Sequence, residues 1–322
     1  MKGFTEEEVL FRSSMDIFGT LAIPDQVKEE KLPAIVLVAG SGPIDRDGTV
    51  DNGKFRTDLY KDLAHFFTSH GYITFRYDKR GTGKSGGEYL ATGLWDLVED
   101  AQQAVEYLKQ QPQVDPNRII LAGHSEGTII VTAVAQKLKE EIAGLMLLSG
   151  GVDNLDQALI GQRKLSYQEL RSKKGPVGWL LRQLINEKKQ EIKVQKQMKP
   201  VLESNEDVVT VQGFFKQPAK WFREHFAFNT REALKEISCP IIVIQGDKDP
   251  LVDHEVLKEL PDLVKGPNES HIIPNMEHAL KEQTSPKSIL QYKKDLKNTL
   301  GKPIHPLAQE KMLNWMQTYF SS

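Results

Sequence analysis

The 322-residue chain is 39% hydrophobic and 27% charged, and its formal net charge is −2. This ordinary globular composition, so close to neutrality, excludes the strongly basic surface of a nucleic-acid-binding protein. The one cysteine, Cys239, excludes an intramolecular disulfide, and no apolar run approaches the roughly 20 residues of a membrane span. Because the acidic amino terminus also lacks the apolar core of a signal peptide, we expect a cytoplasmic protein. The sequence does not indicate an oligomeric state.

Strand-like and helix-like segments alternate through the first half of the chain. An antiparallel, half-exposed strand is predicted at 17–23. Short apolar runs predict buried parallel strands at 34–38, 72–77, 119–122, 145–148 and 241–244. Apolar residues at helical spacing predict helices at 59–67, 94–108 and 126–139, with a last amphipathic helix at 305–320. The alternation predicts an α/β fold with a mostly parallel central sheet flanked by helices.

The alternation stops after Gly151. Residues 153–235 contain no run that we interpret as a strand, so they are predicted to form a helical cap inserted into a core of residues 1–152 and 236–322. Aromatic side chains in the cap are predicted to line a substrate pocket, with packing between helices as the alternative role. These residues are Trp179, Phe214, Phe215 and Trp221.

The pentapeptide Gly-His-Ser-Glu-Gly at 123–127 lies between a predicted strand and a predicted helix. The pattern Gly-x-Ser-x-Gly in this position is typical of a nucleophile elbow, a tight turn that exposes a serine hydroxyl. The glycines are required because a side chain on either would collide with the neighbouring strand or helix. Ser125 is therefore the candidate nucleophile.

A serine nucleophile needs a base, and the base needs an acid that orients it. In elbow enzymes the acid and then the histidine follow the serine along the chain. Asp249 comes just after the last long apolar strand and is the predicted acid, with Asp247 as the alternative. His278 follows a short strand at 270–274 and is the predicted base, whereas His124 within the elbow is assigned to packing.

Acyl chemistry also requires hydrogen-bond donors for the tetrahedral oxyanion. The backbone N–H of Glu126, directly after the nucleophile, is one predicted donor. The second is the backbone N–H of Ser41 in the Gly-rich loop after the first long strand. The Glu126 side chain is an unusual charge beside a nucleophile, and it is predicted to pair with Arg80 or Arg46 unless it points to solvent.

Two further patterns resemble ligand sites and are rejected. The Gly-x-Gly-x-x-Gly pattern at 81–86 does not open a helix at once, as a dinucleotide site requires. Asp45, Asp47 and Asp51 lack the spacing of a calcium loop, and loop capping is the better interpretation. No cofactor and no metal site are expected.

The stretch Gly-Ser-Gly-Pro-Ile-Asp-Arg-Asp-Gly at 40–48 resembles serine esterases of the α/β-hydrolase fold, close to the dienelactone-hydrolase-like branch. The turn Tyr-Asp-Lys-Arg-Gly-Thr-Gly-Lys-Ser at 77–85 fits one common in that superfamily. The resemblance implies hydrolysis of a small-molecule carboxylic ester through an acyl-enzyme, without a cofactor. Ser125 replaces the nucleophilic cysteine of dienelactone hydrolases, which argues against that activity. An acyltransferase or thioesterase, a small-substrate peptidase and a non-catalytic binding protein remain alternatives.

Overall fold

A computed structural model describes residues 3–25, 30–50, 53 and 55–321 of the chain. Its strands are β1 Phe4–Arg12, β2 Asp16–Pro24, β3 Leu32–Val38, β4 Thr49–Val50, β5 Phe55–Arg56, β6 Ile73–Tyr77, β7 Val114–His124, β8 Gly144–Leu148, β9 Val208–Val211, β10 Phe215–Pro218, β11 Ile241–Gly246 and β12 Asn268–Ile273. Its α-helices are α1 Leu59–Ser69, α2 Leu94–Lys109, α3 Glu126–Leu138, α4 Leu155–Ser172, α5 Gly175–Leu184, α6 Glu187–Leu202, α7 Ala219–Ala227, α8 Thr230–Leu234, α9 Leu260–Leu263, α10 Tyr292–Thr299 and α11 Pro306–Phe320.

The main sheet has the strand order β1-β2-β6-β3-β7-β8-β11-β12. From β6 to β12 all neighbouring strands are parallel, while β1, β2 and β6 pair antiparallel. The predicted strands and flanking helices are confirmed. Because the parallel strands run in one direction, the loops after their carboxyl ends meet along one rim of the sheet.

Helices cover both faces of this sheet. On one face α2 and α3 bury Val98, Leu108 and Ile130 against the strands, and on the other α1 and α11 bury Phe67 and Trp315. Central strands buried on both faces explain the nearly continuous apolar runs of the sequence. Among the described residues, no helix combines the length and apolar character needed to cross a bilayer.

The edge of the sheet differs from the prediction. The acidic segment that begins at Phe4 is strand β1, whose exposed charged side chains are typical of an edge strand. Because β1 occupies the edge, β2 is an inner strand, and Ile17, Leu21 and Ala22 are buried. The antiparallel pairing of β2 is confirmed, but its predicted half-exposure is wrong.

The chain between β8 and β11 forms helices α4–α8 and one hairpin, β9–β10. The prediction that residues 153–235 contain no strand is therefore wrong. Val-Val-Thr-Val at 208–211 favours a strand because β-branched side chains fit the pleated backbone. Gln212 and Gly213 both have positive φ, as a tight reversal of the chain requires. The division into core and cap stays a prediction.

The turn between β7 and α3 brings three pieces of backbone into direct contact. A Cβ atom on Gly127 would collide with the Val38 carbonyl at the end of β3, and one on Gly123 would collide with the Gly127 carbonyl. Ser125 between them has φ 55° and ψ −121°, a region that side chains rarely occupy. The surrounding packing therefore holds the serine in a strained backbone conformation.

We expect Gly127→Ala to lower the free energy of unfolding by at least about 2 kcal/mol, since the methyl group has only backbone to displace. The matched control is Gly161→Ala in α4, where a Cβ meets nothing within 4 Å. That change should stabilise the protein by about 0.5–1 kcal/mol through helix propensity. Urea unfolding of the two variants measures the difference, and equal midpoints would contradict the contact.

Candidate active site

Ser125 stands at the carboxyl end of β7 as the residue that precedes α3. Its N–H donates to the Leu148 carbonyl at the end of β8, at 2.9 Å. Its hydroxyl oxygen lies 3.0 Å from Nε2 of His278. The strained turn therefore presents the hydroxyl to an imidazole that comes from a loop 153 residues further along the chain.

His278 is buried and lies between Ser125 and Asp249. Its Nδ1 is 2.7 Å from Oδ2 of Asp249. The Nδ1–H donates to this carboxylate, which leaves Nε2 free to accept a hydrogen bond from the serine hydroxyl. Burial would lower the pKa of His278, but the Asp249 carboxylate outweighs burial and raises it above the ordinary value of 6.5.

Asp249 is fully buried behind the imidazole. Gln245 Nε2 donates to the same Oδ2 at 2.9 Å, and the Leu251 N–H donates to Oδ1 at 2.8 Å. Burial would raise the pKa of Asp249, but His278 and these donors keep it below its ordinary value. The carboxylate is therefore charged and fixed in orientation.

The alternative acid, Asp247, faces elsewhere. Its Oδ1 accepts a hydrogen bond from the Asn275 N–H at 2.7 Å, and its Oδ2 lies 3.6 Å from the Lys248 ammonium. These contacts tie together two loops at the rim of the sheet. Of the two candidate acids, the structure brings only Asp249 into contact with His278.

His124 is buried, as expected for packing, and it also makes two polar contacts. The Tyr60 hydroxyl is 3.1 Å from its Nδ1, and its Nε2 is 2.8 Å from the His278 carbonyl oxygen. Burial and the neighbouring His278 lower the pKa of His124 to about 3. The neutral ring therefore accepts from Tyr60 and donates to the backbone of His278. The sequence offered no signal for this bridge, because Tyr60 belongs to an ordinary amphipathic helix.

The loop that carries Ser41 packs directly against the elbow. A Cβ atom on Gly40 would lie 3.1 Å from the Ser125 Cβ, so glycine lets the loop approach. Ser41 and Glu126 line the same cavity as Ser125 and His278. The structure therefore brings both predicted oxyanion donors to the site.

The Glu126 side chain is buried and fully engaged, but not by the predicted arginines. Its Oε2 lies 2.9 Å from the Lys79 ammonium. Its Oε1 accepts from the Trp221 indole N–H and lies 3.2 Å from His225 Nε2. Burial would raise the pKa of Glu126, but Lys79 and His225 lower it below its usual range.

The predicted pairing of Glu126 with Arg80 or Arg46 is therefore wrong. Arg80 points to the other side of its turn and binds the Asp100 carboxylate through two hydrogen bonds of 2.7 Å. Arg46 is paired with Glu8 and Asp78. Lys79, next to Arg80 in the sequence, is the residue that reaches Glu126, because one step along the turn reverses the direction of a side chain.

A mostly apolar cavity of about 210 Å³ opens beside Ser125 and His278. Side chains from α3, α4, the loop after β8 and the segment after β11 form its walls, among them Ile129, Leu155, Leu159, Val152, Leu251 and Leu257. A second cavity of about 400 Å³ shares part of the α4 wall. The first cavity, which Ser125 lines, offers an apolar surface directly beside the serine hydroxyl.

The four predicted pocket aromatics separate into two groups. Trp221 lines the cavity beside Ser125. Trp179, Phe214 and Phe215 are not among its described lining residues, and they are 62%, 72% and 52% exposed. Their predicted place in the pocket is wrong, because α5 and the β9–β10 hairpin turn these side chains outward.

Of the two patterns set aside as ligand sites, the acidic one at Asp45, Asp47 and Asp51 is described in part by the structure. The Asp45 carboxylate accepts hydrogen bonds from the N–H groups of Asp47, Gly48 and Thr49, so it caps its own loop. Asp51 lies outside the described residues. In the part of the chain that the structure describes, no three His, Cys, Asp or Glu side chains cluster as metal ligands would.

Solved structures share this architecture. The esterase Est1E of Butyrivibrio proteoclasticus, solved with ferulic acid bound, matches with a TM-score of 0.61 at 18% identity, over 96% of this chain and 99% of that one. An acetyl xylan esterase from Paenibacillus sp. R4 matches with a TM-score of 0.60 at 13% identity, over 99% and 85%. At this identity the likeness establishes the α/β-hydrolase fold.

Comparison at the level of sequence identifies the family within this fold. Esterase EstD of Thermotoga maritima is 29% identical over 232 residues, which are 71% of this chain and 50% of that protein. The chain thus matches half or less of the length of the curated relatives it resembles. None of the relatives named here is described as a dienelactone hydrolase, and that branch stays a prediction.

A family model described as serine aminopeptidase, S33 matches residues 56–284. The chain therefore belongs to this S33 serine aminopeptidase family of α/β hydrolases.

Proposed function

We propose that the protein is a serine carboxylesterase that hydrolyses small carboxylic esters through an acyl-enzyme on Ser125. One observation carries the proposal. The His278 imidazole lies 3.0 Å from the Ser125 hydroxyl and 2.7 Å from the Asp249 carboxylate, beside an apolar cavity. This is the relation of nucleophile, base and orienting acid that activates a serine.

In the proposed reaction His278 Nε2 accepts the hydroxyl proton while Ser125 Oγ attacks the ester carbonyl. The resulting oxyanion accepts hydrogen bonds from the Ser41 and Glu126 backbone N–H groups. His278 then donates its proton to the departing alcohol oxygen, which leaves an acyl group on Ser125. Water, deprotonated by His278, then attacks that acyl group, the carboxylic acid is released, and His278 returns the proton to Ser125 Oγ. Asp249 stabilises the imidazolium in both halves.

Family membership also supports a second candidate, a peptidase of small substrates. An aminopeptidase must bind the free amino group of its substrate, which calls for an unengaged carboxylate at the site. Two carboxylates are among the described lining residues: Lys79, Trp221 and His225 already surround that of Glu126, whereas Asp153 accepts a hydrogen bond from the Asn154 N–H on one oxygen. The mostly apolar walls favour an acyl chain over a charged amine, and in the peptidase alternative Asp153 is the carboxylate that would receive the amino group. A thioesterase or acyltransferase would use the same acyl-enzyme with another leaving group or acceptor.

We also propose that residues 153–235 form a cap over a core of 1–152 and 236–322. The support is that α4 and α7 from this segment supply Leu155, Leu159 and Trp221 to the cavity beside Ser125. In this arrangement the core carries the reacting groups and the cap decides which acyl chains reach them.

The first test is a panel of p-nitrophenyl esters of rising acyl length, matching thioesters and aminoacyl p-nitroanilides, run with Ser125→Ala as control. We expect ester hydrolysis that falls by about four to six orders of magnitude in the variant, because nucleophilic attack is lost. A fluorophosphonate should label Ser125 covalently, as mass spectrometry would show. Hydrolysis that persists in the variant would contradict the mechanism, and silence with no labelling would favour a binding protein.

The second test separates Asp249 from Asp247. In the wild type, kcat/KM for an ester should rise with pH through the His278 pKa, which lies above 6.5, because the protonated ring cannot accept the serine proton. Asp249→Asn removes the charge that raises this pKa, so the rise should move to lower pH and kcat should fall by about 10³–10⁴. Asp247→Asn is the matched control and should leave the profile in place. The reverse pattern would reassign the acid.

The third test concerns the cavity, whose 210 Å³ lies below the roughly 300–1,000 Å³ of pockets for drug-sized ligands. We expect a preference for short acyl chains. Ala158 lines the cavity, so Ala158→Phe would fill part of its volume. This variant should lower kcat/KM for hexanoyl and longer esters by about ten-fold, while kcat/KM for acetyl esters stays within about three-fold of the wild-type value. Equal losses for acetyl and octanoyl esters would place the acyl chain elsewhere.

A further inference from the structure

Buried side chains at the site hold the peptide groups on both sides of Gly40. The Lys79 ammonium donates to the Gly40 carbonyl oxygen at 2.5 Å. The Gly40 N–H donates to the Tyr60 hydroxyl at 2.8 Å. Lys79 and Tyr60 are both buried. Residue 40 therefore has both of its backbone polar groups fixed by side chains from other parts of the fold.

This fixation matters for the next N–H along the chain. The Gly40 carbonyl and the Ser41 N–H belong to one planar peptide group, and in a trans peptide they point in opposite directions. No described peptide bond is cis. Anchoring the carbonyl on Lys79 therefore sets the direction of the Ser41 N–H. A cation at the carbonyl also polarises the amide, which makes its N–H a stronger donor.

Lys79 is in turn held by Glu126, at 2.9 Å. Both side chains are buried, so neither charge has water to replace its partner. Trp221 and His225 from α7 contact the other oxygen of the carboxylate and prevent it from turning away. The same residue, Glu126, supplies the second predicted oxyanion N–H through its backbone. Both donors are thus linked through one buried ion pair.

We propose that Lys79 is a positioning residue of the oxyanion hole, which aims and strengthens the Ser41 N–H while Glu126 holds the ammonium in place. The proposal rests on the proposed esterase function. It gives the charged residue inside the elbow a role in transition-state stabilisation. The competing explanation is a purely structural ion pair, whose loss would lower stability without a selective effect on the oxyanion.

The two explanations separate on a pair of substrates, p-nitrophenyl acetate and its thiono analogue, in which sulfur replaces the carbonyl oxygen. Sulfur is a weaker hydrogen-bond acceptor, and the longer C=S bond places it poorly against the donors. A working oxyanion hole therefore favours the oxo ester. Damage to the hole lowers the ratio of oxo to thiono kcat/KM, whereas general loss of folded enzyme lowers both rates equally.

The decisive variant is Lys79→Met, which keeps the length of the side chain and removes its charge and donors. We expect kcat for the oxo ester to fall by about 10–100-fold with little change in KM, less than the roughly 10²–10³ reported for removal of a donor. The thiono rate should change by less than about three-fold. An unchanged oxo-to-thiono ratio would overturn the proposal.

Lys281→Met is the matched control. Lys281 is also buried, and its ammonium also donates to a backbone carbonyl, that of Lys302, and to a carboxylate, that of Asp62. It does not contact the Gly40 carbonyl, so its variant should lose stability and keep the wild-type ratio. A ratio that falls equally in both variants would also overturn the proposal.

Glu126→Gln provides a second route should Lys79→Met fail to fold, since the amide keeps the shape of the carboxylate. We expect the oxo-to-thiono ratio to fall in the same direction, because the ammonium loses its countercharge, and an unchanged ratio would contradict the proposal. Fluorophosphonate labelling of Ser125 should persist in all three variants. Failure of the esterase function itself would instead appear as an unlabelled wild type or as turnover in Ser125→Ala.

Discussion

Backbone meets backbone where Gly127 at the start of α3 packs against the Val38 carbonyl at the end of β3, with no room for a methyl group. This contact locks the turn that holds Ser125 in a strained conformation. It also fixes the distance between the elbow and the loop of Gly40 and Ser41. The strain is sustained because central strands buried on both faces surround the turn. The geometry of the serine is therefore a property of the sheet rather than of the loop alone.

Two polar networks start at Gly40, in the loop that follows Val38. On one side, Tyr60 and His124 connect the Gly40 N–H to the His278 carbonyl. On the other side, Lys79 and Glu126 connect the Gly40 carbonyl to α7. Gly40 lies where the two networks meet. The candidate base and the candidate oxyanion loop are thus held by fully engaged buried groups, which is how a site keeps its geometry without the substrate.

The positions of the central strands along the chain and the candidate triad were predictable for one reason. Apolar runs identify buried strands, and the loops after parallel strands share one rim, so Ser125, Asp249 and His278 could be assigned to that rim from their positions alone. Strand β1 was missed because a charged edge strand carries no apolar run. The residues that surround the triad were harder to find, since Gln245 and Tyr60 belong to ordinary strand and helix patterns.

Side-chain direction explains the remaining errors. Lys79 and Arg80 are adjacent, and only the exact turn after β6 decides which of them faces Glu126. The aromatics of residues 153–235 posed the same problem, because composition does not indicate which face of α5 or of the hairpin points inward. Trp221 faces the site, while Phe214 and Phe215 face outward. The hydrophobic pattern of a sequence predicts its helices and strands, whereas side-chain contacts depend on backbone and side-chain angles that the pattern does not contain.

The shared carboxylate of Glu126 has a consequence for how this site could diverge. Trp221 forms part of the cavity wall and also donates to Glu126, so a substitution there would disturb the ion pair beside the serine. Leu155, Ala158 and Leu159 on α4 line the same cavity with hydrocarbon alone. Substitutions on α4 can reshape the cavity without touching that ion pair. In natural or engineered descendants of this protein, the substitutions that change substrate preference should therefore fall on α4, while Trp221 is retained.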